Sequence, residues 1–499
     1  MQLNHWAYRL ADKIEERKPE GTITITSGIT TSGPAHLGTL VEALFPNTIA
    51  KALRERGREV RFVFIADILD AFDGIPKGLE EFEEMLTPHL GKPLRDVPDP
   101  YSCHASYGEH FLQEALDIFK KFNIEPDVVR AYEIYDKGAF DDDTLLYLSK
   151  IEEVKKILEE VSGRQLKKTW NPIMPICQKC GKIATTVVRS FDLEGNYTYS
   201  CDADVGYTKG CGYEGSSNIK DHHYKLQWRL HWPSWQKYFE SDVEGGGVDH
   251  FTKGGSWDTA VAIHKKIFHR EPPIGYKYGF LMEKGKKMSK SKGVMLTLKD
   301  FIALIPASVI AYHLLKYDLE ENIDFTAEKE NVLRMIYDYE QTSALIGKEE
   351  LSRAEQKKLA AYKLAGEKQW EGNFADYLLY YSVYRDWSKV KEHLGKSDEF
   401  VQSYIEEWFK REFVPDDYDF TYRPEKAEGD TREFISSLNK SMDALAIHNA
   451  VYDFAQKKSL NSKDMFKSIY QVLIGKEKGP RLGKLIYALG IDRIKEDVL

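Results

Sequence analysis

Residues 22–67 read TITITSGITTSGPAHLGTLVEALFPNTIAKALRERGREVRFVFIAD. TITITS (22–27) alternates β-branched and polar groups, as a half-buried strand does. GITTSGPAHLG (28–38) is rich in Gly, Ser, Thr and Pro, so it is expected as a loop. TLVEALFPNTIAKALRERG (39–57) places Leu40, Ala43, Leu44, Ile49, Ala52 and Leu53 on a helical period, with Pro46 as a kink position and Gly57 as a C-terminal cap. VRFVFIAD (60–67) is the nearly continuous apolar run of a buried strand. Strand, glycine-rich loop, helix, strand opens a βαβ nucleotide-binding unit, so an α/β fold with a Rossmann-type domain is expected.

Outward from that unit the pattern changes several times. Prolines 76, 88, 93, 98 and 100 make the next stretch irregular. Helical periodicity at 111–121 and 144–161 leads into a cysteine-rich section, 170–215. A helical, glycine-punctuated stretch spans 222–270, and IGYKYGFLM (274–282) reads as a strand. Beyond 297 almost only helical periodicity remains. The expected domains are a first catalytic half (1–75), an insertion region (76–220), a second catalytic half (221–296), a helical connector (297–345) and an all-α C-terminal region (346–499).

Composition sets the class. The chain has 499 residues, 42% hydrophobic and 30% charged, as ordinary globular proteins do. No apolar run approaches the roughly 18 residues of a membrane span. The N-terminal stretch mixes charges of both signs without a signal-peptide core, so a cytoplasmic location is expected. A net charge of −9 argues against indiscriminate coating of nucleic acid, DNA included, while leaving room for a local basic surface.

Two separated stretches suit phosphate. SGPAHLGT (32–39) puts His36, Gly38 and Thr39 at the mouth of a helix, where free N–H groups meet anions. KKMSKSKG (286–293) carries Lys287 and Lys290 directly after a predicted strand. GGGVDHFTKGGSWD (245–258) sets Asp249 and His250 among glycines, suited to contacts with ribose or an amino acid. GYKYGF (275–280) puts Tyr276 and Tyr278 on one strand face, since they are two apart.

Cys177, Cys180, Cys201 and Cys211 account for four of the five cysteines. CQKCG is a metal knuckle, and four thiolates on short glycine-containing turns suit tetrahedral zinc. The nine residues between Cys201 and Cys211 exceed the usual spacing, so either the loop is enlarged or the site has decayed. DPYSCHASYGEH (99–110) offers Asp99, Cys103, His104 and His110. There Cys103 and His110 would share a helix face, with His104 reaching in from its start. O, S and N donors suit zinc, although spacing alone slightly favours a capping Asp, a buried Cys and surface histidines.

HLGT (36–39) and KMSKS (287–291) resemble the two signatures of class I aminoacyl-tRNA synthetases. With TITSGITTSGPAHLG, the CxxCG module and KEKGPRLG near the C-terminus, the whole chain is similar to the class I lysyl-tRNA synthetases. The resemblance implies a Rossmann-type catalytic domain with zinc-binding insertions, then an α-helical anticodon-binding region. It implies ATP-dependent activation of L-lysine to an adenylate and its transfer to tRNA(Lys), with Mg2+ on the triphosphate. Lys287 and Lys290 would close on that triphosphate in the transition state. Gly28, Thr30, His250 and Tyr276 would recognise the amino acid, with Trp228 or Trp232 as a further wall. Asp99, Cys103, His104 and His110 would form a second zinc site. Lys478, Arg481 and Lys484 are candidate anticodon contacts, and a monomer is expected.

Three positions depart from the family. Thr39 stands where Asn is usual, Val248 where lysine is, and His231 where an acidic residue is. A paralogue of other amino-acid specificity, a catalytically reduced tRNA-binding regulator and a nucleotidylyltransferase therefore stay open.

Overall fold

A computed structural model describes residues 3–287 and 297–499. Lys290 lies outside the described residues, and of Lys287 only the backbone pairing Met282↔Lys287 is described. The chain divides into two units. The first comprises Met1–Ile302, Ile310–Phe325 and Glu349–Gly366; the second comprises Ala303–Val309, Thr326–Lys348 and Glu367–Leu499.

The first unit is built on α1 (Trp6–Arg17), β1 (Ile23–Ile29), α2 (Leu37–Arg54), β2 (Val60–Ala66), α3 (Tyr107–Lys121), β3 (Asp127–Arg130), α4 (Trp228–Tyr238), β4 (Val243–Gly247), α5 (Ser256–Lys266) and β5 (Ile274–Tyr278). The strands form one five-stranded sheet, and β3–β2–β1–β4–β5 is its spatial order. Every neighbouring pair is parallel. Ile23, Ile25, Val63, Phe64 and Ile65 are wholly buried, as strands covered on both faces require. The order reverses between β1 and β4, and at such a switch point the strand ends open a crevice for ligands.

β4 is the element that the sequence pattern hides. Its residues, VEGGG, read as part of a glycine-rich loop, yet they pair with β1 and β5. Two flanking ladders override the poor strand propensity of glycine. Glycine is also required: a Cβ on Gly245 would lie 2.1 Å from the Tyr276 ring.

α2 begins at Leu37, earlier than its apolar period suggests, and runs through Pro46 to Arg54. Pro46 has no N–H for the carbonyl of Glu42, four residues back. The Ser27 hydroxyl of β1 donates to that carbonyl instead, at 2.7 Å. The predicted helix at 111–121 starts at Tyr107, capped by Ser106, and the one at 144–161 is two helices, Asp141–Ser149 and Ile151–Ser162.

Strands Thr186–Phe191, Asn196–Cys201 and Glu214–Asn218 make a small antiparallel sheet in the cysteine-rich section. The second unit is helical throughout its described elements, from Lys329–Thr342 to Ile491–Val498. Trp370, Tyr380 and Trp408, aromatics on helical spacing, are buried in its core. No single described helix is long and apolar enough to cross a membrane.

Candidate active site

A cavity of about 920 Å³ opens at the switch point. Gly28 and Thr30 from the end of β1, Asp67 and Asp70 after β2, His250 after β4 and Tyr278 at the end of β5 all line it. So do His36, Gly38, Thr39 and Glu42 of the α2 start. Residues far apart in sequence converge because parallel strands present their carboxyl ends on one edge.

One wall is the α2 N-terminus. His36 is the N-cap: its Nδ1 accepts the Thr39 N–H at 3.2 Å, and Thr39 Oγ1 accepts the His36 N–H at 3.3 Å. This reciprocal capping box places the ring at the helix mouth. Because Nδ1 accepts, the neutral imidazole carries its proton on Nε2. The threonine in place of the family asparagine is therefore the closing half of a cap.

Acidic groups also line the cavity. Asp67 is buried, and the Lys225 ammonium lies 2.8 Å from its Oδ2. Lys225 also pairs with Asp70, which accepts a hydrogen bond from Thr30 Oγ1 at 2.5 Å. His231 Nδ1 is 3.4 Å from Asp67. Burial opposes the Asp67 charge, but Lys225 and His231 together hold its carboxyl well below the ordinary range. Glu42 is half-buried; its carboxylate accepts from the Tyr278 hydroxyl. Burial, reinforced by the neighbouring Glu244, pushes the Glu42 carboxyl up to about 7.

Trp228 and Trp232 stack at 5.3 Å, each near the His250 ring. Trp228 lines the cavity, whereas Trp232 is buried behind it. Burial lowers the His250 pKa, so the ring stays neutral near pH 7. Tyr276 and Asp249 are not among the described residues that line the cavity. Tyr276 packs over Gly245, and Asp249 is exposed. The departures Val248 and His231 are likewise absent from the described lining. Sequence reasoning missed Glu42, Asp67, Asp70 and Lys225, while of the tyrosine pair it singled out, Tyr278 lines the cavity. The aspartates at 67, 70 and 73, directly after an apolar strand, were the available signal.

Two donor clusters lie elsewhere in this unit. The sulfurs of Cys177 and Cys211 are 3.7 Å apart, and those of Cys180 and Cys201 are 3.6 Å apart. A tetrahedral ion with bonds of about 2.3 Å separates its sulfurs by about 3.8 Å, so the donor set fits zinc. The long spacer is an enlarged loop: Gly210 N–H donates to Ala203 O at 3.0 Å, Val205 N–H to Thr208 O at 3.1 Å, and Cys211 returns beside Cys201. In the second cluster, Cys103 Sγ lies 3.1 Å from His104 Nδ1 and 3.3 Å from His110 Nδ1. Asp99 Oδ1 is 3.2 Å from His110 Nδ1. Cys103 does not share a helix face with His110, because Ser106 caps the helix and Cys103 sits in the turn before it. Asp99 folds that turn by accepting the N–H groups of Tyr101, Cys103 and His104.

A parallel sheet of this order, with an anion-competent helix start at its switch point, defines a Rossmann-type nucleotide-binding fold. The model of the family "tRNA synthetases class I (K)" matches residues 4–368. A lysine–tRNA ligase of Archaeoglobus fulgidus is 31% identical, with 99% of both chains covered. One from Methanocaldococcus jannaschii is 30% identical over 98% of both chains, and one from Borreliella burgdorferi 29% over 99% of both. The chain belongs to the class I tRNA synthetase (K) family.

Proposed function

We propose that the protein is a lysine–tRNA ligase: it activates L-lysine with ATP and Mg2+, then transfers the lysyl group to the 3′ end of tRNA(Lys). The observation that carries this reading is the polarity of the cavity. The helix start of α2 lines it, and so do the acids Glu42, Asp67, Asp70 and Asp73. The first suits a triphosphate and the second an amino acid with two ammonium groups. Family membership and the named activity of the relatives support it.

In this reading the lysine carboxylate attacks the α-phosphorus of ATP and pyrophosphate leaves. His36 Nε2–H and the α2 N–H groups hold phosphate oxygens, with Gly38 allowing close approach and Thr39 fixing the ring. Lys287 and Lys290 stabilise charge on the departing pyrophosphate. Mg2+ on the triphosphate would offset its negative charge. Gly28, Thr30, Trp228 and His250 meet the amino acid; Asp249 acts through His250, and Tyr276 supports the floor beside Tyr278. Cys177, Cys180, Cys201 and Cys211 hold one structural zinc, and Asp99, Cys103, His104 and His110 a second, each cross-linking irregular chain. Residues 346–499 read the anticodon, reached through a connector at 297–345, with Lys478, Arg481 and Lys484 as contacts.

The test is exchange of labelled pyrophosphate into ATP, with each of the twenty amino acids, with and without tRNA. Lysine-dependent exchange is expected. Exchange with another amino acid moves the chain to a paralogue, and silence from folded, zinc-loaded protein leaves a tRNA-binding regulator. Exchange with no transfer to any tRNA leaves a nucleotidylyltransferase.

A further inference from the structure

We infer that Tyr107 and Glu114, both on α3, are positioning residues for the nucleotide end of the site: they brace the segment that leads into His36. The inference rests on the ATP-dependent reading above and deepens it.

The chain from the end of β1 to the start of α2 is held in two halves. In the first, Gly28 and Ile29 pair with Ile65 and Ala66 of β2, and Thr30 Oγ1 donates to Asp70. Residues 32–35 lie beyond that ladder and are tied to α3 instead. The Tyr107 hydroxyl donates to Ser32 O at 3.0 Å, and Glu114 Oε1 accepts the Ala35 N–H at 3.0 Å. Between the halves, Thr31 Oγ1 donates to Gly108 O at 2.9 Å. Tyr107 and Glu114 are seven residues apart, two helical turns, so they share one face of α3.

Burial makes these bonds matter. Ala35 is 2% exposed, and a buried peptide N–H without an acceptor is costly. Tyr107 is wholly buried, and burial pushes its phenol well above the usual range, so it keeps the proton that it donates. The helix is closely seated in turn: a Cβ on Gly108 would lie 3.0 Å from Ile68 Cβ, just after β2.

The consequence falls on the phosphate side. Ala35 directly precedes His36, the N-cap of α2. Its carbonyl accepts the Leu298 N–H at 2.8 Å, at the start of the helix Leu298–Leu304 and next to Thr297, which lines the cavity. A shift at Ala35 therefore moves the cap and that part of the lining together, while Gly28 and Thr30 keep their own anchors on β2 and Asp70.

The test compares Tyr107→Phe, Glu114→Ala and Glu114→Gln with the wild type in pyrophosphate exchange, reading the KM for ATP and for lysine separately. Tyr107→Phe and Glu114→Ala are expected to raise the KM for ATP by about 10-fold, the order of one lost hydrogen bond, with the KM for lysine near the wild-type value. Glu114→Gln keeps an acceptor oxygen and stays near the wild type for both substrates. Equal rises for the two substrates, or a Gln variant as impaired as the Ala variant, overturn the inference. Hydrogen–deuterium exchange of the free proteins needs no turnover. Residues 31–40 are expected to take up deuterium faster in Glu114→Ala than in the wild type or Glu114→Gln, with residues 23–29 unchanged; equal rates at 31–40 overturn the brace. A wild type silent in pyrophosphate exchange with every amino acid instead defeats the underlying reading, and the deuterium rates then decide the brace by themselves.

Discussion

Lys225 shows how far one buried side chain governs its surroundings. It is 2% exposed and pairs with both Asp67 and Asp70, which offsets the repulsion between these acids. Removing one partner of a buried pair leaves the other uncompensated and costs about 3–5 kcal/mol. Lys225→Met is therefore expected to lose that much stability in urea at pH 7.5. The sign with pH follows from Asp67. In the wild type its depressed carboxyl pKa contributes stability that is present above the ordinary carboxylate value and lost as pH falls through the folded one. In the variant that contribution is gone, so the deficit against wild type shrinks as pH drops below about 4, where the unfolded carboxylates also take protons. A deficit that stays constant to pH 3 would show that Lys225 acts through packing alone.

The α2 start joins sequence to chemistry at the scale of an element. Thr39 is the reciprocal half of the cap that holds His36, so its hydroxyl serves the helix and the site together. Thr39→Ala is expected to cost about 1 kcal/mol in thermal unfolding, the usual effect of a lost capping group. It also raises the KM for ATP while leaving that for lysine near the wild-type value, and Thr39→Ser restores both. Equal effects on the two substrates would mean that the cap sets only overall stability. The hairpin between Cys201 and Cys211 is a second such element. The added residues turn back on themselves, with Val205 N–H donating to Thr208 O, and deliver the last sulfur to the cluster.

For the whole molecule, the two donor clusters are predicted to retain two zinc ions per chain, measured by elemental analysis of protein purified without added metal. Chelation is expected to lower the thermal midpoint, because an ion held only by the folded site adds its binding free energy to stability. Metal below one ion per chain in active enzyme would remove zinc from its structural role.

Much of this was legible along the chain. Period-two and period-3.6 patterns marked β1, α2 and β2, and the loop after β1 marked residues that line the cavity. The cysteine count marked one donor cluster before its geometry was seen. The all-α second unit was evident from periodicity, since helices and their apolar faces are local. Only the tertiary structure decided the rest, because it depends on partners distant in sequence. VEGGG becomes a strand only when β1 and β5 flank it, and Gly245 is required only by the Tyr276 ring. Glu42 looks like an ordinary helical surface acid until β1 and β5 bring Ser27 and Tyr278 against it. Local spacing determined which elements form and where phosphate chemistry could sit; long-range packing decided which carboxylates line the cavity and which of them Lys225 pairs with.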